Sequence, residues 1–183
     1  MNEHFNPNIY WTHFTLSKGS IHLAASDNGL VFVGSLNHPF EELEEWMVRR
    51  FPRSTLMRSD SRLLPYSTAL MEYFQGRRNI APAALDLHGT HFQKVVWKAI
   101  GEVPYGETRT YSELAALIGK PAAVRAVSAA VGANPALIFI PCHRIIGKNG
   151  KLTGYRGGLK MKEDLLALES IHDSSKRELL QYV

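Results

Sequence analysis

Residues 141–144 read Pro-Cys-His-Arg, and Cys142 is the one cysteine in 183 residues. A lone cysteine excludes an internal disulfide and any paired-cysteine metal or redox motif, leaving a structural thiol or a reactive one. Composition by itself favours the structural thiol, because free cysteines are commonly buried. A reactive thiol, with an ordinary pKa of about 8.5, is mostly protonated at neutral pH and needs cationic or proton-accepting neighbours. His143, Arg144 and a nearby carboxylate have that chemistry. Adjacent side chains on an extended chain point to opposite sides, so His143 need not touch the sulfur directly and a bound water can stand between them. The Cys-His pair also fits a cysteine hydrolase with Asn134 as third member. A helix-turn-helix DNA binder or regulator without chemistry is the other reading left open.

The elements that must position these residues can be read outward from the cysteine. The run Ala136-Leu137-Ile138-Phe139-Ile140 predicts a buried strand or extended segment that delivers Cys142 to the lip of the core. Upstream, Phe92, Val95, Val96 and Ala99-Ile100 form one apolar stripe ended by Gly101, an amphipathic helix. Thr110-Tyr111-Ser112-Glu113 is a capping box that starts a helix from about Tyr111 to Ile118. Gly119 breaks it, Pro121 suits the first turn of another, and Val124, Val127 and Val131 supply that second helix's buried side. The pair reads as a helix-turn-helix. Its second helix carries Arg125 as sole charge among small residues such as Ala123, Ala126 and Ser128. Major-groove readers want several polar side chains; small residues instead permit close approach in a narrow groove, with one long side chain as a wedge. The bland rival is an Ala-rich packing helix. Downstream, a glycine-rich loop over 147–158 leads to a helix whose Leu159, Leu165, Leu166 and Leu168 are expected to face inward. A last polar helix is expected near residues 174–182.

The N-terminal half has a different character. Segments 9–16, 20–26 and 29–36 are apolar and separated by Lys18-Gly19 and Asp27-Asn28-Gly29, which predicts a small antiparallel sheet with hairpin turns. Helices follow over Glu41–Phe51 and Ser61–Gly76. The fold class is α+β in two domains, with a boundary near residues 85–90. Residues 1–87 form a small antiparallel sheet with helices. Residues 88–183 form a mostly helical, winged-helix-like domain with the helix-turn-helix.

Charge divides along the same line. Residues 1–89 carry 8 Lys/Arg against 9 Asp/Glu, and residues 90–183 carry 13 against 8. A basic C-terminal half suggests an anionic partner, with nucleic acid the common case. No run of about 18 apolar residues is present, and the first residues lack a signal peptide's basic flank and apolar stretch. The expectation is a cytoplasmic protein without a membrane partner.

Taken in order, Arg125-Ala126-Val127, Asn134-Pro135, Pro141-Cys142-His143-Arg144, Leu152-Thr153-Gly154-Tyr155 and Gly157-Gly158-Leu159 resemble the O6-alkylguanine-DNA alkyltransferase family. The resemblance is strong over residues 90–183 and general over 1–89. It implies repair of double-stranded DNA containing alkylated bases, chiefly O6-alkylguanine with O4-alkylthymine beside it, by irreversible, single-turnover transfer of the alkyl group to Cys142 without a cofactor. It further implies that His143 draws the thiol proton through a water, Glu169 orients His143, and Asn134 braces the active-site turn. Tyr111 would help rotate the nucleotide and bind or protonate the purine. Arg125 would fill the vacated stack, with Ala123, Ala126 and Ser128 against the DNA. Tyr155, Arg156, Gly157 and Leu152 would border the base pocket, and Arg144 would make a structural ion pair. Some relatives bind zinc through N-terminal cysteines and histidines; with no second cysteine, His4, His13 and His22 are read as surface or structural residues and no metal is expected. The family's usual monomeric state carries over as an expectation.

Overall fold

Strands β1 (Ile9–Leu16), β2 (Gly19–Ser26) and β3 (Gly29–Val33) pair antiparallel in sequence order through tight turns. A short strand β4 (Leu56–Arg58) adds in parallel beside β1, so the finished sheet is mixed, with order β3-β2-β1-β4. Helix α1 (Glu41–Arg50) has acidic residues in its first turn and arginines in its last, matching the helix dipole. Helix α2 (Asp60–Phe74) follows. The computed structural model describes residues 7–77 and 84–171, so the helix expected near 174–182 and His4 lie outside the described residues.

The C-terminal half comprises α3 (His91–Gly101), α4 (Tyr111–Leu117), a 3₁₀ turn (Pro121–Ala123) running into α5 (Val124–Gly132), and α6 (Gly158–Ile171). Thr110 and Glu113 form the expected capping box on α4, and Thr90 with Gln93 forms a second, unexpected one on α3. Gly119, at φ +70°, supplies the left-handed residue that turns α4 toward α5. A parallel pair, β5 (Arg109–Thr110) and β6 (Ile145–Ile146), sets the start of α4 beside the chain leaving Cys142.

The main core draws on both halves: Leu23, Val33, Leu70 and Tyr73 pack in one cluster with Val96, Trp97, Ile140 and Cys142. The outer edge of β3 is covered rather than bare, as exposed edges require. Val33 N–H donates to the Pro135 carbonyl at 2.9 Å, while Leu30 exchanges backbone hydrogen bonds with residues 84 and 86. The segment that carries the cysteine is thus docked directly on the N-terminal sheet.

Three local expectations are corrected. Residues 136–140 are a tight turn, not a strand: Ile140 N–H bonds to the Ala136 carbonyl, Phe139 N–H to Leu137, and Ile138 sits at φ +72°. Positive φ is strained for a β-branched residue; here the Asn134 side chain, bonded to both ends of the turn, holds it. Cys142–Arg144 form a 3₁₀ turn, so His143 does not sit on an extended strand opposite the thiol. Leu159 is half exposed, because the buried face of α6 runs through Met161, Lys162, Leu165 and Glu169, with Leu166 and Leu168 at its margins. His13 is exposed and His22 buried. Among the described residues there is no group of acidic, His and Cys side chains that could hold a metal, and no helix long and apolar enough to cross a membrane.

Candidate active site

Cys142 heads a 3₁₀ turn fixed at its entry by Asn134. The Asn134 amide oxygen accepts from Ala136 N–H at 2.9 Å, and its Nδ2 donates both to the Ile140 carbonyl and to Cys142 Sγ, each at 2.9 Å. One buried side chain therefore closes the turn and aims a donor at the sulfur. In a cysteine-protease triad the asparagine orients the histidine; here it holds the cysteine, and another residue orients the histidine.

That residue is Glu169 on α6. His143 Nε2 lies 2.9 Å from Glu169 Oε1, with both side chains fully buried. A carboxylate only accepts, so Nε2 carries the hydrogen and Nδ1 presents its lone pair. Nδ1 is buried and has no partner among the described residues. Arg144, expected to make a structural ion pair, makes it with Glu169: Nη2 donates to Oε1 at 2.8 Å and Nε to Oε2 at 3.0 Å, while Nη1 bonds the Val103 carbonyl at 2.6 Å. Gly106 N–H and the Tyr73 hydroxyl complete the shell at 3.0 and 2.7 Å. Burial alone would raise the Glu169 pKa, but hydrogen bonds and charge from His143 and Arg144 bring it down to about 2. Burial lowers the pKa of His143 against the opposing pull of Glu169, keeping the ring neutral.

The thiol's electrostatics differ from the expectation. Burial pushes the Cys142 thiol up, opposed by the Asn134 hydrogen bond and the positive charges of Arg156 and Lys162. Arg144 is committed to Glu169, so the cations acting on the sulfur are two that sequence reasoning did not assign to it. Lys162 is fully buried on α6 and donates to the carbonyls of Ile145 and Thr153, at 2.5 and 2.9 Å. The signal for it was present in the sequence: a lysine on the inward stripe of an amphipathic helix needs a buried purpose. Arg156 turns its guanidinium inward, to Glu42 Oε1 and the Val33 carbonyl at 2.6 Å and to the carbonyls of Asn134 and Pro135. Ser35 anchors Glu42 in turn. This clamp joins α1, β3 and the cysteine-bearing segment.

The remaining expected residues form the rim. The Tyr111 hydroxyl, at the start of α4, donates to the Thr153 carbonyl at 3.3 Å, so α4 and loop 147–158 face each other. Leu152, Tyr155 and Gly157 lie on that loop, half-buried, and the Tyr155 hydroxyl is buried without a partner among the described residues. A Cβ on Gly157 would fall 2.5 Å from Met161 Sδ and 2.7 Å from the Tyr155 ring, so any other residue here would have to displace those side chains. On α5, Arg125, Ala126 and Ser128 are exposed and Val127 and Val131 face the core, while Ala123, in the 3₁₀ turn before it, is half-buried. The helix presents an exposed face of small residues with one long cation.

The description "6-O-methylguanine DNA methyltransferase, DNA binding domain" matches residues 91–171, and "6-O-methylguanine DNA methyltransferase, ribonuclease-like domain" matches 9–87. The chain is 52% identical over 163 residues to the inducible methylated-DNA–protein-cysteine methyltransferase of Bacillus subtilis, covering 89% of this chain and 91% of that one. Its fold is similar to that of the O6-methylguanine methyltransferase of Mycobacterium tuberculosis, at TM-score 0.78 and 36% identity over 94% of this chain and 99% of that one. It is also similar to the M. tuberculosis OGT crystallised in complex with DNA, at TM-score 0.77 and 37% identity over 89% of this chain and 94% of that one.

Proposed function

Because the chain belongs to the 6-O-methylguanine DNA methyltransferase family, we propose that Cys142 repairs alkylated DNA by taking the alkyl group from O6 of guanine onto its own sulfur. The observation that carries this reading is the convergence of an asparagine donor and two cations on one thiol, whose neighbour in the chain is a neutral, carboxylate-oriented histidine. A water would carry the thiol proton to His143 Nδ1 while the imidazolium is stabilised by Glu169. The thiolate then attacks the alkyl carbon: an S–C bond forms, the C–O bond breaks, and its electron pair stays with the guanine. Tyr111 binds the purine and supplies the proton that balances the charge. A thioether has no easy leaving route, so each molecule acts once, and no cofactor is needed because the substrate carries the alkyl group. O4-alkylthymine presents the same electrophilic carbon and belongs to the same reading.

Because Sγ is buried, the base must leave the duplex to reach it, and unstacking costs a few kcal/mol. The small exposed face of α5 suits close approach to a narrow groove, with Ala123, Ala126 and Ser128 near the backbone and Arg125 as the side chain that offsets the lost stacking. The loop bearing Leu152, Tyr155, Arg156 and Gly157 receives the base. Residues 1–87 serve as a bracing domain and 88–183 as the domain for DNA binding and transfer. The chain works as a monomer in the cytoplasm, where duplex DNA is its partner.

The test is intact-protein mass spectrometry after incubation with duplex DNA bearing one O6-methylguanine. The expected result is a single methyl group on wild type, mapped to Cys142, and none on Cys142→Ser. Tight lesion binding without any mass change would leave a binding-only protein and end the transfer reading.

A further inference from the structure

Tyr73 belongs to the N-terminal half, on α2, yet its hydroxyl lies inside the C-terminal relay. It donates to Glu169 Oε1 at 2.7 Å and lies 3.3 Å from His143 Nε2. The side chain is 1% exposed, and its ring packs at an edge-on angle against His143 and Tyr105. We propose that Tyr73 is a positioning residue for alkyl transfer: its hydroxyl shares the Glu169 oxygen with His143 and so sets how strongly that carboxylate polarises the imidazole. The inference rests on the transfer reading given above.

The argument is one of competition for one acceptor atom. Glu169 Oε1 receives His143 Nε2–H, the Tyr73 hydroxyl and Arg144, while Oε2 receives Arg144 and Gly106. Each donor draws carboxylate charge away from the imidazole. Burial and the adjacent Glu169 hold the Tyr73 phenol well above its ordinary pKa, so it remains a donor throughout the working range. Arg144 tunes the same carboxylate but is also tied to the Val103 carbonyl and neutralises the buried charge, so its removal would unfold the site. Tyr73 can lose its hydroxyl and keep its ring. The other titratable groups facing His143 and Glu169 are Lys162 on α6, Tyr155 on the loop, Tyr105 after α3, and Cys142 itself. Among the described residues, Lys162, Tyr155 and Cys142 make no hydrogen bond to Glu169, whereas the Tyr73 hydroxyl does.

With the hydroxyl gone, Glu169 shares more charge with His143 and the ring becomes more basic. A ring that must be neutral to accept the thiol proton is then protonated at higher pH. In single-turnover assays on methylated duplex DNA, Tyr73→Phe is expected to slow transfer on the acid side of the rate profile, about 10-fold for each unit by which the ring becomes more basic, with little change where the ring is neutral in both proteins. It should also move the acid limb of the rate profile upward, with DNA affinity unchanged. Replacing Tyr73 by 3,5-difluorotyrosine, a stronger donor of nearly the same shape, should move that limb downward. Opposite movements in the two variants would establish the positioning role. An unmoved acid limb in both, whether or not Tyr73→Phe loses thermal stability, would reduce Tyr73 to a packing residue and overturn the inference. Wild type run in parallel separates the two ideas: if it transfers no methyl group, the transfer reading itself fails.

Discussion

Replacing Glu169 by glutamine keeps the shape of the relay and removes its only negative charge. Two routes give the magnitude. The Glu169 pKa is lowered from 4.5 to about 2, and at roughly 1.4 kcal/mol per unit this shift corresponds to about 3 kcal/mol of stability at neutral pH. Independently, removing one member of a buried pair leaves Arg144 uncompensated, at a cost of about 3–5 kcal/mol. The sign follows from a depressed carboxylate: the stabilisation is complete above about pH 4.5 and is lost as pH falls toward about 2, with about half gone near pH 3. Urea unfolding of wild type and Glu169→Gln should therefore differ by about 3 kcal/mol at pH 7, a midpoint shift of roughly 1.5 M for an m-value of about 2 kcal/mol/M. The gap should narrow through the acid range. Alkyl transfer should fall as well, since His143 loses the negative charge that stabilises its ring once it has taken the thiol proton. A variant within about 1 kcal/mol of wild type at pH 7, or a gap that stays constant down to pH 3, would refute the view that this carboxylate anchors the site.

Two further perturbations separate the thiol from the DNA face. Asn134→Asp puts a carboxylate where an amide donates to Sγ; it should raise the thiol pKa further and slow transfer at pH 7, about 10-fold for each unit of the rise, and an unchanged pH profile would mean that the amide does not act on the sulfur. Arg125→Ala, which alters an exposed side chain, should leave the melting temperature within a degree or two while slowing transfer from duplex DNA far more than from the free O6-methylguanine base; equal losses on both substrates would argue against a stacking substitute.

Much of the site was legible because its chemistry lies in short, local patterns. The capping box at Thr110, the glycine break at 119 and the Pro-Cys-His-Arg tetrad each need only neighbouring residues to act. What the sequence hid is long-range. Nothing near Arg156 indicates that its guanidinium crosses to Glu42 and Val33, more than a hundred positions away, or that Tyr73 reaches Glu169. The strand expected at residues 136–140 failed for a related reason. An apolar run normally satisfies its backbone in a ladder, but here the Asn134 side chain takes over those hydrogen bonds and allows a turn with a left-handed isoleucine. Leu159 was misplaced because periodicity counted only apolar residues, whereas the buried face of α6 includes Lys162 and Glu169.

The raised pKa of Cys142 is best understood from what single use demands. A thiol exposed beside cations would be largely thiolate, and thiolates are oxidised and alkylated by whatever small electrophile arrives. For a protein that reacts once, each such event is a permanent loss. Burial favours the protonated sulfur, while Asn134, Arg156 and Lys162 oppose that effect; in the proposed transfer this arrangement would hold the thiol neutral until a base reaches it. The same arrangement explains why both halves of the chain brace the site. A neutral buried thiol is activated only if its proton acceptor and its cations are already in place. Glu42 fixes Arg156 from one side and Tyr73 contacts the His143–Glu169 pair from the other, so the N-terminal half touches the machinery on both flanks without bonding to the sulfur.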